Sequence, residues 1–174
     1  MDLGAVLIAV AGVTGTLGGS LLTQRAAERG RRRELELVRD QEASRELLAL
    51  RRACYGELNR DARQFTTALG TYLFVLRAGA PTDADRAALE AAKAAHRDRY
   101  SEAQMIAPHS VLAPAAAANR ALNDVYGRLK RIERGEPAGG EDLGTAEEAR
   151  EAVWPLLRTL RTALRADLGI NDPF

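Results

Sequence analysis

The first long pattern along the chain is an absence of charge. Leu3 to Leu22, "LGAVLIAVAGVTGTLGGSLL", runs 20 residues without an ionisable side chain. A helix needs about that length to cross ~30 Å of hydrocarbon. Five glycines, two threonines and Ser20 dilute the stretch, so the span it predicts is a weak one. From Glu34 the pattern becomes amphipathic. Leu47, Leu50, Cys54, Leu58, Ala62, Phe65, Leu69, Tyr72 and Leu76 recur at steps of three and four, which marks one face of a helix. No proline precedes Pro81. A helix unbroken from the span to Arg77 extends roughly 110 Å at about 1.5 Å per residue. Gly30, Gly56 and Gly70 are the points where it could bend or fray.

The pattern then restarts three times. "AGAPTD" reads as a turn, after which Thr82 caps a second helix with Asp85 three residues on, as in a capping box. Leu89, Ala92, His96, Ala103 and Ile106 line its apolar side, and Pro108 ends it. Ser110 is the predicted cap of a third helix with Pro114 in its first turn and a stripe of Ala118, Leu122, Val125, Leu129 and Ile132. "RGEPAGGEDLGT" is a polar loop. Thr145 with Glu148 then forms the predicted capping box of a fourth helix. Its stripe is Val153, Leu156, Leu157, Leu160, Leu164 and Leu168; Pro155 predicts a kink near Trp154, and Gly169 a stop. The expected fold is all-α: an N-terminal transmembrane helix continuing into a long helix and an antiparallel four-helix bundle. The expected organisation is a membrane anchor over 1–23, a basic, charged helical stalk over 24–44 and a cytoplasmic helical bundle over 45–174.

Charge adds an orientation. Arg25, Arg29, Arg31, Arg32 and Arg33 follow the span against the single acid Glu28, whereas only Met1 and Asp2 precede it. Positive charge stays inside, which places the C-terminal bundle in the cytoplasm of a single-pass bacterial membrane protein with its N-terminus out. A cleaved signal peptide would carry a positive segment before the apolar run, and none is there. The same five arginines can attract anionic headgroups, at about 1 kcal/mol each near the surface. A net charge of +1 gives no global pull toward nucleic acid, and 5% aromatic residues are too few for a base-stacking platform, so no nucleic acid is expected as partner. Of 25 basic residues only Lys93 and Lys130 are lysine. Cys54 is the lone cysteine, which excludes an internal disulfide.

The glycines in the span admit two chemistries. Gly12, Gly15 and Gly18 follow the apolar run "VLIAVA" at G-x-x-G-x-x-G spacing. This resembles the first strand and turn of short-chain dehydrogenases and their NmrA-like relatives, in which glycines admit a pyrophosphate at a helix N-terminus. Tyr126 and Lys130 reproduce that family's Tyr-x-x-x-Lys pair, where tyrosine donates the proton and lysine lowers its pKa. The resemblance implies an NAD(P)-binding reductase. A doubly wound sheet needs successive buried Val- and Ile-rich strands. After Val13 these residues are confined to Val38, Val75, Ile106, Val111, Val125, Ile132, Val153 and Ile170, scattered at helical spacings. The other chemistry is helix packing in a membrane. Gly12, Gly15, Thr16 and Gly19 form a strip of small residues that lets a second backbone approach closely. Self-association through the span or the long helix is one role for that strip; dilution of a weak anchor is the other.

No catalytic, cofactor-binding or metal-ligating residue is assigned. His96 sits on an apolar stripe and His109 in a turn, neither with the Glu-x-x-His partner that a bundle metal site uses. The whole layout is a short N-terminus, the span "AVAGVTGTLGGSLLTQ", the stalk "RRRELELVRDQEASRELLALRRACY" and an Ala-rich bundle containing "RDRYSEAQMIAP". In this it resembles a group of actinobacterial membrane-anchored helical proteins, some named KilB after a plasmid protein tied to conjugative spread. The resemblance implies a non-enzymatic membrane-anchored scaffold or interaction protein with an unknown protein partner, one form being a plasmid-transfer accessory. A small phage or plasmid membrane effector would share the architecture.

Overall fold

The structure, a computed structural model, describes the backbone of residues 3–79 and 81–170, and the side chains of Glu28, 31–79 and 81–170. Every regular element among the described residues is a helix: α1 (Leu3–Arg77), α2 (Asp83–Ile106), α3 (His109–Glu133), α4 (Leu143–Glu151) and α5 (Val153–Asp167). Contacts divide the chain into two units, Met1–Leu47 and Leu48–Phe174. Among the described residues no helix is long and apolar enough to cross a membrane. The side chains of the predicted anchor, 1–23, lie outside those described.

In the second unit four arms alternate in direction. Arg51 on α1 donates through Nε to the Ile106 carbonyl at the end of α2 (3.0 Å), and Tyr55 Oη donates to Asp167 Oδ2 at the end of α5 (2.7 Å). At the opposite end Arg77 pairs with Glu147 on α4 (2.7 Å), and Arg86 near the start of α2 pairs with Glu133 at the end of α3 (2.6 Å). These contacts make α2 antiparallel to α1, α3 antiparallel to α2, and α4–α5 a broken fourth arm antiparallel to α3. The arms close on one core. Cys54, Leu58, Ala62, Phe65, Leu69 and Tyr72 come from α1; Leu89 and Ala103 from α2; Val111, Ala118, Leu122, Val125 and Leu129 from α3; Val153, Leu157, Leu160 and Leu164 from α5. Burying each large aliphatic side chain contributes about 1.5–3 kcal/mol. The predicted stripes are therefore core, with two exceptions on α1: Leu47 and Leu50 are exposed. The cover supplied by α2 and α5 ends at the level of Arg51, where both helices terminate against it.

Local chemistry sets the ends. Thr82 and Asp85 make the predicted capping box on α2, each side chain bonding the other's backbone N–H. Three expectations are corrected. The third helix starts at His109 from Pro108, with no side-chain cap, so Ser110 lies inside it. Pro114 is consequently beyond the first turn, and the helix forgoes the bond that an N–H there would give the Ser110 carbonyl. The fourth arm is capped by Asp142, not Thr145: Asp142 Oδ1 accepts from the Thr145 N–H (2.7 Å), while the Thr145 hydroxyl accepts from the Asp142 N–H (2.9 Å). That arm is two helices. Ala152 separates them three residues before Pro155, whose ring leaves the Glu151 carbonyl without its helical donor and crowds it. Gly169 (φ +73°) stops α5 as predicted, with the Ile170 N–H on the Arg165 carbonyl (2.9 Å). Asp142→Ala should lower stability to urea by about 1 kcal/mol, whereas Glu148→Ala, an exposed change, should stay within about 0.5 kcal/mol. Equal losses would restore Thr145 as the cap.

Candidate functional site

The stalk is the first candidate surface. Every side chain from 31 to 50 is exposed, Arg31, Arg32 and Arg33 among them. So are the large aliphatics Leu35, Leu37, Val38, Leu47, Leu48 and Leu50, with Leu37 64% exposed. Arg25 and Arg29, and the small-residue strip Gly12, Gly15, Thr16 and Gly19, lie outside the residues whose side chains are described.

The reductase constellation is not assembled. There is no strand among the described residues to hold a dinucleotide turn, and positions 12, 15 and 18 fall within the bounds of α1. Tyr126 and Lys130 are one turn apart on α3, but each is engaged elsewhere. Tyr126 donates to Glu90 on α2, and burial together with that bond pushes its pKa up to about 12. A proton donor of this type needs the opposite shift. Lys130 pairs with Glu133 and lies 5.6 Å from the centre of the Tyr72 ring.

Two polar nodes tie the arms together. At the first, Glu133 accepts from Arg86 Nε (2.6 Å) and Lys130 Nζ (2.5 Å). The buried Tyr72 hydroxyl lies against the same carboxylate, though without a bond of good geometry. Burial alone would raise the Glu133 pKa, but Lys130, Tyr72 and Arg86 outweigh it and hold the group at about 2. At the second, Arg99 on α2 reaches Glu57 (2.9 Å) and the buried Asp61 (3.6 Å) on α1, and Arg60 Nε donates to Asp61 Oδ1 (3.0 Å). Cys54 is buried on the same stretch of α1. Burial and the nearby Glu102 push its thiol up, away from the thiolate a nucleophile needs. Sequence periodicity placed none of these charged partners, because each flanks a stripe instead of lying on it.

Two concavities border the seam between α1 and α2. A groove of about 560 Å³ runs between α1 and α2, floored by Ala68, Tyr72 and Leu89 and edged by Arg60 and Arg63. The Arg63 guanidinium also lies 5.9 Å from the centre of the Trp154 ring. A smaller pocket of about 140 Å³ opens between α1, α2 and α3, lined by Phe65, Lys93, His96, Arg97, Tyr100, Asn119 and Asn123. His96 is buried on the predicted stripe, its ring tilted against Phe65 at 5.8 Å and stacked on Tyr100 at 6.4 Å. Neither ring nitrogen has a hydrogen bond of good geometry, although the Asn119 side chain lies beside the ring. Burial lowers its pKa and favours the neutral ring, with Asn119 and Asp61 opposing. A buried polar group left without a good hydrogen bond costs about 1–3 kcal/mol, so this histidine is not explained by packing alone. No group of three His, Cys, Asp or Glu side chains placed to hold a metal occurs among the described residues. Comparison with known proteins returns no match: no family model, no curated protein and no solved structure resembles the chain closely enough to lend it a family.

Proposed function

We propose that the chain is a membrane-tethered, non-enzymatic interaction protein, in which a helical bundle is joined to its anchor by a charged stalk that contacts a protein partner or a second copy of the chain. The observation that carries this reading is the stalk itself. Its positions 31–44 are all exposed, and so are 45–50, which follow it; six of these twenty are large aliphatics that a helix serving only as a spacer would not need. The uncharged run 3–22 and the arginines after it support the tether. The plasmid-transfer role implied by the KilB resemblance is the specific form we attach to it.

Expression of the full chain tests both halves. The protein should sediment with membranes and resist an alkaline wash; recovery in the supernatant without detergent would reject the tether. In-cell crosslinking should capture a higher-mass species that the triple substitution Leu35→Glu, Leu37→Glu, Val38→Glu abolishes, with the thermal unfolding of the bundle unchanged. Capture that survives the triple substitution would reject the stalk as the contact surface.

A further inference from the structure

The pocket over His96 has the features of a ligand site, and its lining specifies the ligand's chemistry. Its floor is Phe65 and His96, which are 0% and 2% exposed, and its rim includes the exposed Arg97 and Asn123. Neither imidazole nitrogen makes a hydrogen bond of good geometry, although the Asn119 side chain lies beside the ring, and both nitrogens are closed off behind the lining. The remaining lining is rich in donors. Lys93 has no carboxylate within ion-pair distance among the described residues; its Nζ rests 3.5 Å from the centre of the Tyr126 ring. Arg97 meets only its exposed neighbour Asp98, at 3.6 Å. The Asn123 amide is already used on Asn119 (2.8 Å to the carbonyl oxygen). No aspartate or glutamate lines the pocket.

We propose that this pocket binds a small organic carboxylate carrying an apolar or aryl group. A carboxylate offers acceptors only, which matches a lining that carries two cations and an asparagine amide and no acid. The Phe65 and Tyr100 rings supply the apolar walls for the remainder. The volume of about 140 Å³ is close to that of an apolar cavity of about 150 Å³ that admits a benzene-sized guest. The apolar group occupies the floor, and the carboxylate lies toward the rim, where Lys93 and Arg97 stand.

Benzoate is the probe, titrated calorimetrically at constant ionic strength into the full chain in detergent micelles. Binding should be saturable. Benzamide, with the same ring and no charge, and inorganic phosphate, with charge and no ring, should each bind at least tenfold more weakly. Lys93→Met with Arg97→Met should weaken benzoate at least tenfold while the circular-dichroism melt is preserved. His96→Phe should abolish binding by filling the floor. If that buried variant does not fold, the rim pair still decides. An absence of saturable benzoate binding, benzamide or phosphate binding as tightly as benzoate, or a rim pair without effect would each overturn the assignment.

Discussion

Phe65→Ala is expected to destabilise the bundle by about 3–5 kcal/mol, a large part of the roughly 5–15 kcal/mol that holds a domain of this kind folded. Phe65 is fully buried at the middle of the bundle portion of α1. Its ring meets His96 on α2 at 5.8 Å and Tyr126 on α3 at 6.4 Å, so one side chain joins three arms. Truncation removes the transfer free energy of the ring and leaves a void that three helices cannot close without moving their backbones. The void also opens into the His96 pocket, so entering water can fill part of it, which places the loss near the lower end of the range. Denaturant unfolding of the full chain measures it, with Leu37→Ala as the control. That exposed stalk position should change stability by less than about 0.5 kcal/mol. A loss below about 1 kcal/mol at Phe65 would mean that the three arms do not pack on it.

Acidification should act through Glu133. Its carboxyl is held at about 2 in the folded bundle, against an ordinary value of 4.5. A depressed folded pKa stabilises fully above the unfolded value and loses that stabilisation as the pH falls through the folded one. The window is therefore from about pH 4.5 down to about pH 2. The contribution is about 2 kcal/mol, reduced from an ideal of about 3 because Arg86 is 39% exposed and water screens the pair. Glu133→Gln keeps the size and removes the charge. At pH 7 it should be less stable than the parent by about that amount, and the difference should shrink toward zero as the pH approaches 2. Glu141, Asp142 and Glu147 also have lowered pKa values and weaken both proteins alike, so the difference between the two melting curves isolates Glu133. A difference independent of pH would assign Glu133 a packing role only.

The arms were legible because their apolar residues recur at helical spacing and because prolines and glycines punctuate them. Leu58, Ala62, Phe65 and Leu69 are core for the reason the spacing gave. Boundaries were legible only where one signal stood alone. Thr82 stood directly after Pro81 with Asp85, its capping-box partner, three residues on. In "EDLGTAEE" both Asp142 and Thr145 can cap with a partner three residues on, and Asp142, whose carboxylate also suits a helix N-terminus, takes the position. Periodicity also overran its cover at Leu47 and Leu50, since a stripe records which face a helix could bury and not how far the neighbouring helices reach. His96 was readable as a stripe residue. That neither of its nitrogens makes a bond of good geometry depends on side chains from α1 and α3 that no spacing within α2 reveals. Arg86, Lys130 and Glu133 likewise converge only through the antiparallel pairing of α2 with α3.

Four arms are an even number, so the chain enters the bundle at Leu48 and leaves it after α5 at one end, where Tyr55 and Arg51 hold Asp167. A load applied between these two points would not slide α1 past α5 along a whole seam. It would peel them apart from that end, one turn at a time. Mechanically the domain is a zipper whose first tooth is Asp167, and its resistance to pulling is set by a few residues at the mouth, not by the depth of its core.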